Sequence, residues 1–225
     1  PVDTEGKAYD WEDDILPCIP YDQCVIYHIH TRGFTKHASS GLEGDSRGTF
    51  KGVAEKIPYL KDLGITTVEM MPPVEFEELI IPERVDGSPF AAEKPDGKLN
   101  YWGYTRGYSF APKSAYSGGS GKEPVREFKD MVKALHREGL EIVIELFFDG
   151  KEAPAYVLDA ARFWAHEYHV DGIHLVGHAP VKLLGEDPYL SRLKLFAPDW
   201  EGVDPGACRH LARYNDGFMM DMRGL

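Results

Sequence analysis

Strand-like and helix-like segments alternate along this chain, and the distance between successive strands decides what the alternation can build. Strand candidates fall at 24–31, 65–71, 141–148, 173–176 and 193–197. Between them, apolar residues recur at helical spacing over 51–62, 125–138 and 154–168, with a short helical turn near 188–192. Pro72-Pro73 halts the second strand, Pro124 and Pro154 open helices, and Gly64 and Gly139 close them. Each crossover is longer than a dozen residues, too long for a hairpin, so the strands are predicted to run parallel. The segment EIVIELFF at 141–148 is mostly apolar, as a strand covered on both faces must be.

Two segments stand outside the alternation. Residues 1–24 form a polar N-terminal lead-in carrying Trp11, and 72–121 form a Pro- and Gly-rich insertion holding the aromatic run NYWGYTRGYSF. Setting aside the 24-residue lead-in and the 50-residue insertion leaves 151 of the 225 residues. A closed barrel of eight strand–helix units takes roughly 250 residues, about 30 per unit, so 151 make about five units or a little more. The expected fold is therefore α/β: a partial barrel over 25–225 of five to six parallel strands, with a long loop insertion after strand 2. Its missing strands leave an exposed edge, expected to be covered by the lead-in, the tail or a second copy in a homodimer.

Charge and apolar runs exclude several classes of function. Thirty-seven acidic residues against 25 basic ones give a net charge of −12, which opposes binding to nucleic acid or an anionic membrane surface. No apolar run approaches the 18 or so residues of a membrane span. The polar start, PVDTEG, lacks both a signal-peptide pattern and an initiator Met, and predicts a processed or excised chain. Cys18, Cys24 and Cys208 are odd in number and lack metal-ligand spacing, which predicts free thiols in a reducing, cytoplasmic compartment.

Several residue groups could carry chemistry. Tyr101, Trp102, Tyr104 and Tyr108 sit in a long loop, and aromatic faces suit the apolar sides of a pyranose ring; the plainer reading is packing over a barrel rim. His28 and His30 share a strand face and could begin a zinc site with His174 and Asp199. Ordinary hydrogen-bonded histidines are the preferred reading, so no metal or cofactor is expected. Glu145, Asp149, Glu152, Asp171, Asp199 and Glu201 are expected near the C-terminal strand ends, where barrels place chemistry. Glu69 is expected to support a loop and Arg32 to anchor one.

Four long segments resemble the alpha-amylase superfamily (glycoside hydrolase family 13), in its isoamylase, pullulanase and glycogen-debranching branch. VIYHIHTRGFTKHASSG (25–41) is similar to the branch's first strand, and GTFKGVAEKIPYLKDLGITTVEMMPP (48–73) to its first helix and second strand. NYWGYTRGYSFAPKSAYS (100–117) resembles the aromatic loop lining the sugar site, and REFKDMVKALHREGLEIVIELFF (126–148) the second helix and third strand. The resemblance implies a (β/α)8 TIM-type catalytic domain acting on α-glucans. The family needs two carboxylates, a nucleophile and an acid/base. Where it carries Asp-Val-Val-x-Asn-His on the third strand, this chain has Glu145 through Gly150. Where it carries Gly-Phe-Arg-Phe-Asp on the fourth, this chain has Gly172, Ile173, His174, Leu175 and Val176, so Val176 replaces the nucleophile and His174 the arginine. The acid/base position falls on Pro198, or with a one-residue slip on Asp199, and the family's seventh-strand His-Asp region has no counterpart.

The expected function is that of a degenerate, truncated and catalytically inactive homologue, a pseudoenzyme with weak binding of α-glucan or maltooligosaccharide. The candidate carbohydrate contacts are Tyr101, Trp102, Tyr104, His30, Glu145 and His174. Two alternatives stand beside it: a fragment of an active debranching or amylase-type hydrolase, and, more distantly, a metal-dependent hydrolase.

Overall fold

The computed structural model describes residues 8–78, 99–118, 123–203 and 208–224. Its main elements in chain order are β1 (Ile26–Ile29), α1 (Thr31–Thr35), α2 (Phe50–Glu55), α3 (Ile57–Asp62), β2 (Thr67–Met70), β3 (Val74–Phe76), β4 (Gly107–Pro112), α4 (Pro124–Arg137), β5 (Glu141–Phe148), α5 (Pro154–Glu167), β6 (Gly172–Gly177), α6 (Val181–Gly185), β7 (Lys194–Phe196), β8 (Leu211–Ala212) and α7 (Asp216–Arg223). Six strands form one sheet in the order β1-β2-β5-β6-β7-β8, and every ladder in it is parallel, as the crossover lengths require. The insertion contributes the antiparallel pair β3-β4; its residues 79–98 and 119–121 lie outside the described residues.

Alternation along the strands separates an outer from an inner face. Val68, Met70, Ile142, Ile144, Leu146, Ile173 and Leu175 join the helical residues Phe50, Phe128, Leu135, Trp164 and Tyr168 in one core. In α4 the buried residues Phe128, Met131, Val132 and Leu135 follow the spacing i, i+3, i+4, i+7, so one stripe faces the sheet. Burial of each such side chain stabilises by about 1.5–3 kcal/mol. The inner face carries polar residues from every central strand. Tyr214, just beyond β8, donates its hydroxyl to Glu69 on β2. In a flat sheet these strands would stand about 19 Å apart, four spacings of about 4.8 Å, so the sheet must curl for the bond to form.

Several elements differ from the sequence pattern. The helix expected over 51–62 is two, because Pro58 has no N–H for the preceding turn, and the chain breaks at Lys56 (φ −91°, ψ 1°). The tail reads as loose in sequence, yet it contains β8 and α7. Helix α6 is a single turn, too short for periodicity to show.

The lead-in docks at the N-terminal ends of the strands. Asp14 places one carboxylate oxygen 2.8 Å from His136 Nδ1 and the other 2.7 Å from His169 Nδ1, while Trp11 stacks on His169 at 3.8 Å. Tyr9 donates to Asp130 at 2.6 Å. Asp171 accepts from His136 Nε2 at 3.0 Å and from the Ile142 amide at 2.8 Å. It therefore lies at the start of β6, at the opposite end from the catalytic rim expected for it; Asp171-Gly172 turns into the strand instead of leaving it. Burial opposes a charge on His136, but the flanking Asp171 and Asp14 prevail and hold its pKa above the ordinary imidazole value.

Candidate functional site

Two polar layers fill the inner face. In the lower one Glu141, fully buried, accepts from Lys194 Nζ (2.5 Å), Thr67 Oγ1 (3.0 Å) and the Ile19 amide (2.8 Å). The upper layer follows from parallel register: His28 lies level with Glu69, and Glu145 with His174. His28 Nε2 is 3.0 Å from Glu145 Oε1, and Tyr104 donates to Glu145 Oε2 at 2.6 Å. His174 Nδ1 donates to Glu69 Oε1 at 2.6 Å and lies 3.6 Å from Glu145 Oε1; Tyr214 donates to Glu69 Oε2. All four carboxylate oxygens are thus engaged. Burial would push the Glu69 carboxyl up, but the His174 and Tyr214 hydrogen bonds and the nearby imidazoles hold it below the usual range. The hydrogen bond to Glu145 raises the His28 pKa. Burial and the bond to Glu145 raise that of the Tyr104 phenol.

This arrangement extends the expectation for Glu69. It does hold a loop residue, Tyr214 between β8 and α7, and as a fully buried strand residue it also ties β2 to His174. Its separation from His28 in sequence hides the pairing, which appears only once the β1–β2 register is known. Arg32 does anchor the insertion, donating Nη2 to Glu78 at 3.0 Å.

The aromatic loop crosses the mouth of the sheet and is held by His30. The His30 Nδ1 accepts from the Gly33 amide at 2.9 Å, so Nε2 carries the proton and donates to the Tyr101 carbonyl at 2.7 Å. Burial accordingly lowers the His30 pKa. The His30 ring stacks on Tyr101 at 4.1 Å, and Trp102 meets it edge-on at 5.9 Å. Gly103, at φ +82°, lies over Phe76; a Cβ there would sit 2.7 Å from the Phe76 ring, so the turn admits no side chain. Trp102 (54% exposed), Tyr101 and Tyr104 reach solvent together. Tyr108 is separate: it lines a cleft of about 600 Å³ with Arg106, Lys151, Glu152 and Tyr156.

Val176 is the last residue but one of β6, on the inner face, two residues beyond His174 and level with Phe147. Pro198 and Asp199 are exposed beyond β7, where Asp199 Oδ1 accepts from the Trp200 amide at 2.7 Å. The zinc set weighed from sequence does not assemble, since His30 is turned to Tyr101 and Asp199 to its own neighbour. Among the described residues one group of metal-capable side chains does converge: His28, Glu69 and Glu145, with ligand atoms within 4.8 Å of one another. Cys18, Cys24 and Cys208 are free thiols. Among the described residues no helix is long and apolar enough to cross a membrane.

No family model matches the chain. It is 31% identical to Isoamylase 1, chloroplastic, of Arabidopsis thaliana, over 76% of this chain and 27% of that protein. The glycogen debranching enzyme of Serratia proteamaculans is 29% identical, over 96% of this chain and 41% of its own length. The chain thus spans well under half the length of these curated relatives. Among solved structures, the pullulanase of Paenibacillus barengoltzii in complex with maltohexaose and alpha-cyclodextrin superposes with a TM-score of 0.66 at 20% identity, covering 92% of this chain and 42% of that one. That likeness makes the curled six-stranded sheet part of a (β/α)8 barrel. The chain belongs to the isoamylase, pullulanase and glycogen-debranching branch of the alpha-amylase superfamily, glycoside hydrolase family 13.

Proposed function

We propose that this chain recognises α-glucan at its barrel mouth and does not hydrolyse it. The observation that carries this reading is Val176. The family's retaining chemistry needs a nucleophilic carboxylate and an acid/base about 5–5.5 Å apart across the glycosidic bond. Val176 offers neither lone pair nor proton at the nucleophile position, and Pro198 offers none at the acid/base position, where only a one-residue slip would put Asp199. Loss of leaving-group protonation alone costs about 10²–10⁴-fold.

Glu69 and Glu145 do not replace the missing pair. Their carboxylates approach within 4.8 Å, His174 bridges them, and each of their oxygens already accepts a hydrogen bond or faces an imidazole. No sugar-sized gap separates them. They form a braced platform beneath the sugar-facing loop.

Glucan recognition is supported by the exposed faces of Trp102 and Tyr101, which His30 contacts, and of Tyr104, which Glu145 holds, and by the maltohexaose bound to the pullulanase of similar fold. Glu145 and His174 contribute through the platform, Glu145 by accepting from Tyr104. Calorimetric titration with maltohexaose is expected to give saturable binding. Trp102→Ala should weaken it about five- to tenfold, the worth of about 1–1.4 kcal/mol of aromatic contact, with unchanged thermal stability. Absence of binding at millimolar sugar, or binding indifferent to Trp102, would contradict the recognition half of the proposal.

A further inference from the structure

We propose that the inner face of the barrel is a binding site for a divalent first-row transition-metal cation, ligated by His28 Nε2 and by one carboxylate oxygen each of Glu69 and Glu145. Three neighbouring strands, β1, β2 and β5, each deliver one donor. The ligand atoms lie within 4.8 Å of one another, and the His28–Glu145 separation is already 3.0 Å. Donors about 2.0–2.1 Å from a tetrahedral cation stand about 3.3 Å apart, so small side-chain rotations close the site.

The charge balance favours a cation. Glu69 and Glu145 are buried to 0% and 3% exposure, and together they bring two negative charges into the sheet interior. A dication balances the pair with His28 neutral. The remaining partners suit the outer surroundings of a metal: His174 and Tyr214 hold Glu69, and Tyr104 holds Glu145. Each carboxylate oxygen has a second lone pair, so these bonds and metal ligation are compatible. His28, with 37% of its side chain exposed, opens the site towards the mouth, where water or sugar hydroxyls could complete the coordination. One nitrogen and two oxygens select Mn²⁺ or Zn²⁺ over Ca²⁺, which takes six to eight oxygen ligands.

The test strips the full chain with EDTA and titrates it near neutral pH with MnCl2, reading free Mn²⁺ by electron paramagnetic resonance, and with ZnCl2 by calorimetry. Mn²⁺ is the deciding probe because it has little affinity for the three thiols. One equivalent should bind. His28→Ala and Glu145→Gln should each weaken binding by about tenfold or more. His37→Ala, at an exposed histidine outside the site, should leave it unchanged. Circular dichroism checks folding; if Glu145→Gln does not fold, the partly exposed His28 decides. No stoichiometric Mn²⁺ uptake at millimolar metal, or uptake that His28→Ala leaves intact, would overturn the site. Displacement of Mn²⁺ by equimolar CaCl2 would overturn the assigned donor class.

Discussion

His174 stands where the family resemblance places an arginine, and the exchange rewires the inner face. A shorter imidazole reaches Glu69 on β2, and with Val176 two residues on there is no carboxylate for it to support. Both departures are readings of the sequence against the family resemblance, each inside a recognisable strand motif. The full role of Glu69 was not legible there, because it depends on which strands become neighbours and on the curl that brings Tyr214 across. His136 shows the same limit. It reads as a helix residue in sequence, but it lies buried between Asp14 and Asp171, which hold its pKa above the ordinary imidazole value. Its folded pKa lies above the unfolded value of about 6.5, so its contribution to stability is full below about pH 6.5 and fades as pH rises through the folded pKa. Asp14→Asn should therefore cost about 1.5–3 kcal/mol at pH 6, the worth of a charged hydrogen bond, and less at pH 9. Urea denaturation at the two pH values measures this; an equal cost at both would contradict the assignment of charge to His136.

Helices α4 and α5 are legible in the sequence because each runs 14 residues with a regular apolar stripe and a proline at its start. Among the elements that escaped, α6 and β8 are held by packing and ladder partners and carry no signal of their own. Between α2 and α4 the contact is set by Phe50 against Phe128, with ring centroids 5.1 Å apart and perpendicular planes, and Phe128 also meets Trp164 at 5.1 Å. Phe128→Ala should destabilise by about 3–5 kcal/mol through the cavity it leaves. At Gly52 the opposite fault arises: an added Cβ would stand 2.0 Å from the Ser46 carbonyl oxygen, so Gly52→Ala must displace backbone. Overpacking of this kind costs about 1–3 kcal/mol. Thermal unfolding of both variants checks these values, and a neutral Gly52→Ala would show that the α2 turn yields more easily than its geometry indicates.

Over the whole molecule, one sheet serves two purposes. Its outer face joins the helices in an apolar core, and its inner face stacks two polar layers beneath an aromatic loop. The parallel course and approximate strand number follow from spacing and length alone. The curl does not, because it is recorded in contacts such as Tyr214–Glu69 that link distant strands. The docked lead-in was visible only as a polar segment with a tryptophan; Asp14 and Trp11 fasten it beneath the strands, at the end opposite the aromatic loop. The proposed inactivity rests on the strand ends, where Val176, and Pro198 or by a one-residue slip Asp199, fall at the positions the family resemblance gives to the reacting carboxylates. Incubation of the purified chain with branched maltodextrin, with new reducing ends read by a fluorescent label, tests this most directly. The account predicts release at the level of buffer alone, and turnover on the order of 1 s⁻¹ or faster, the ordinary range for an enzyme, would contradict it.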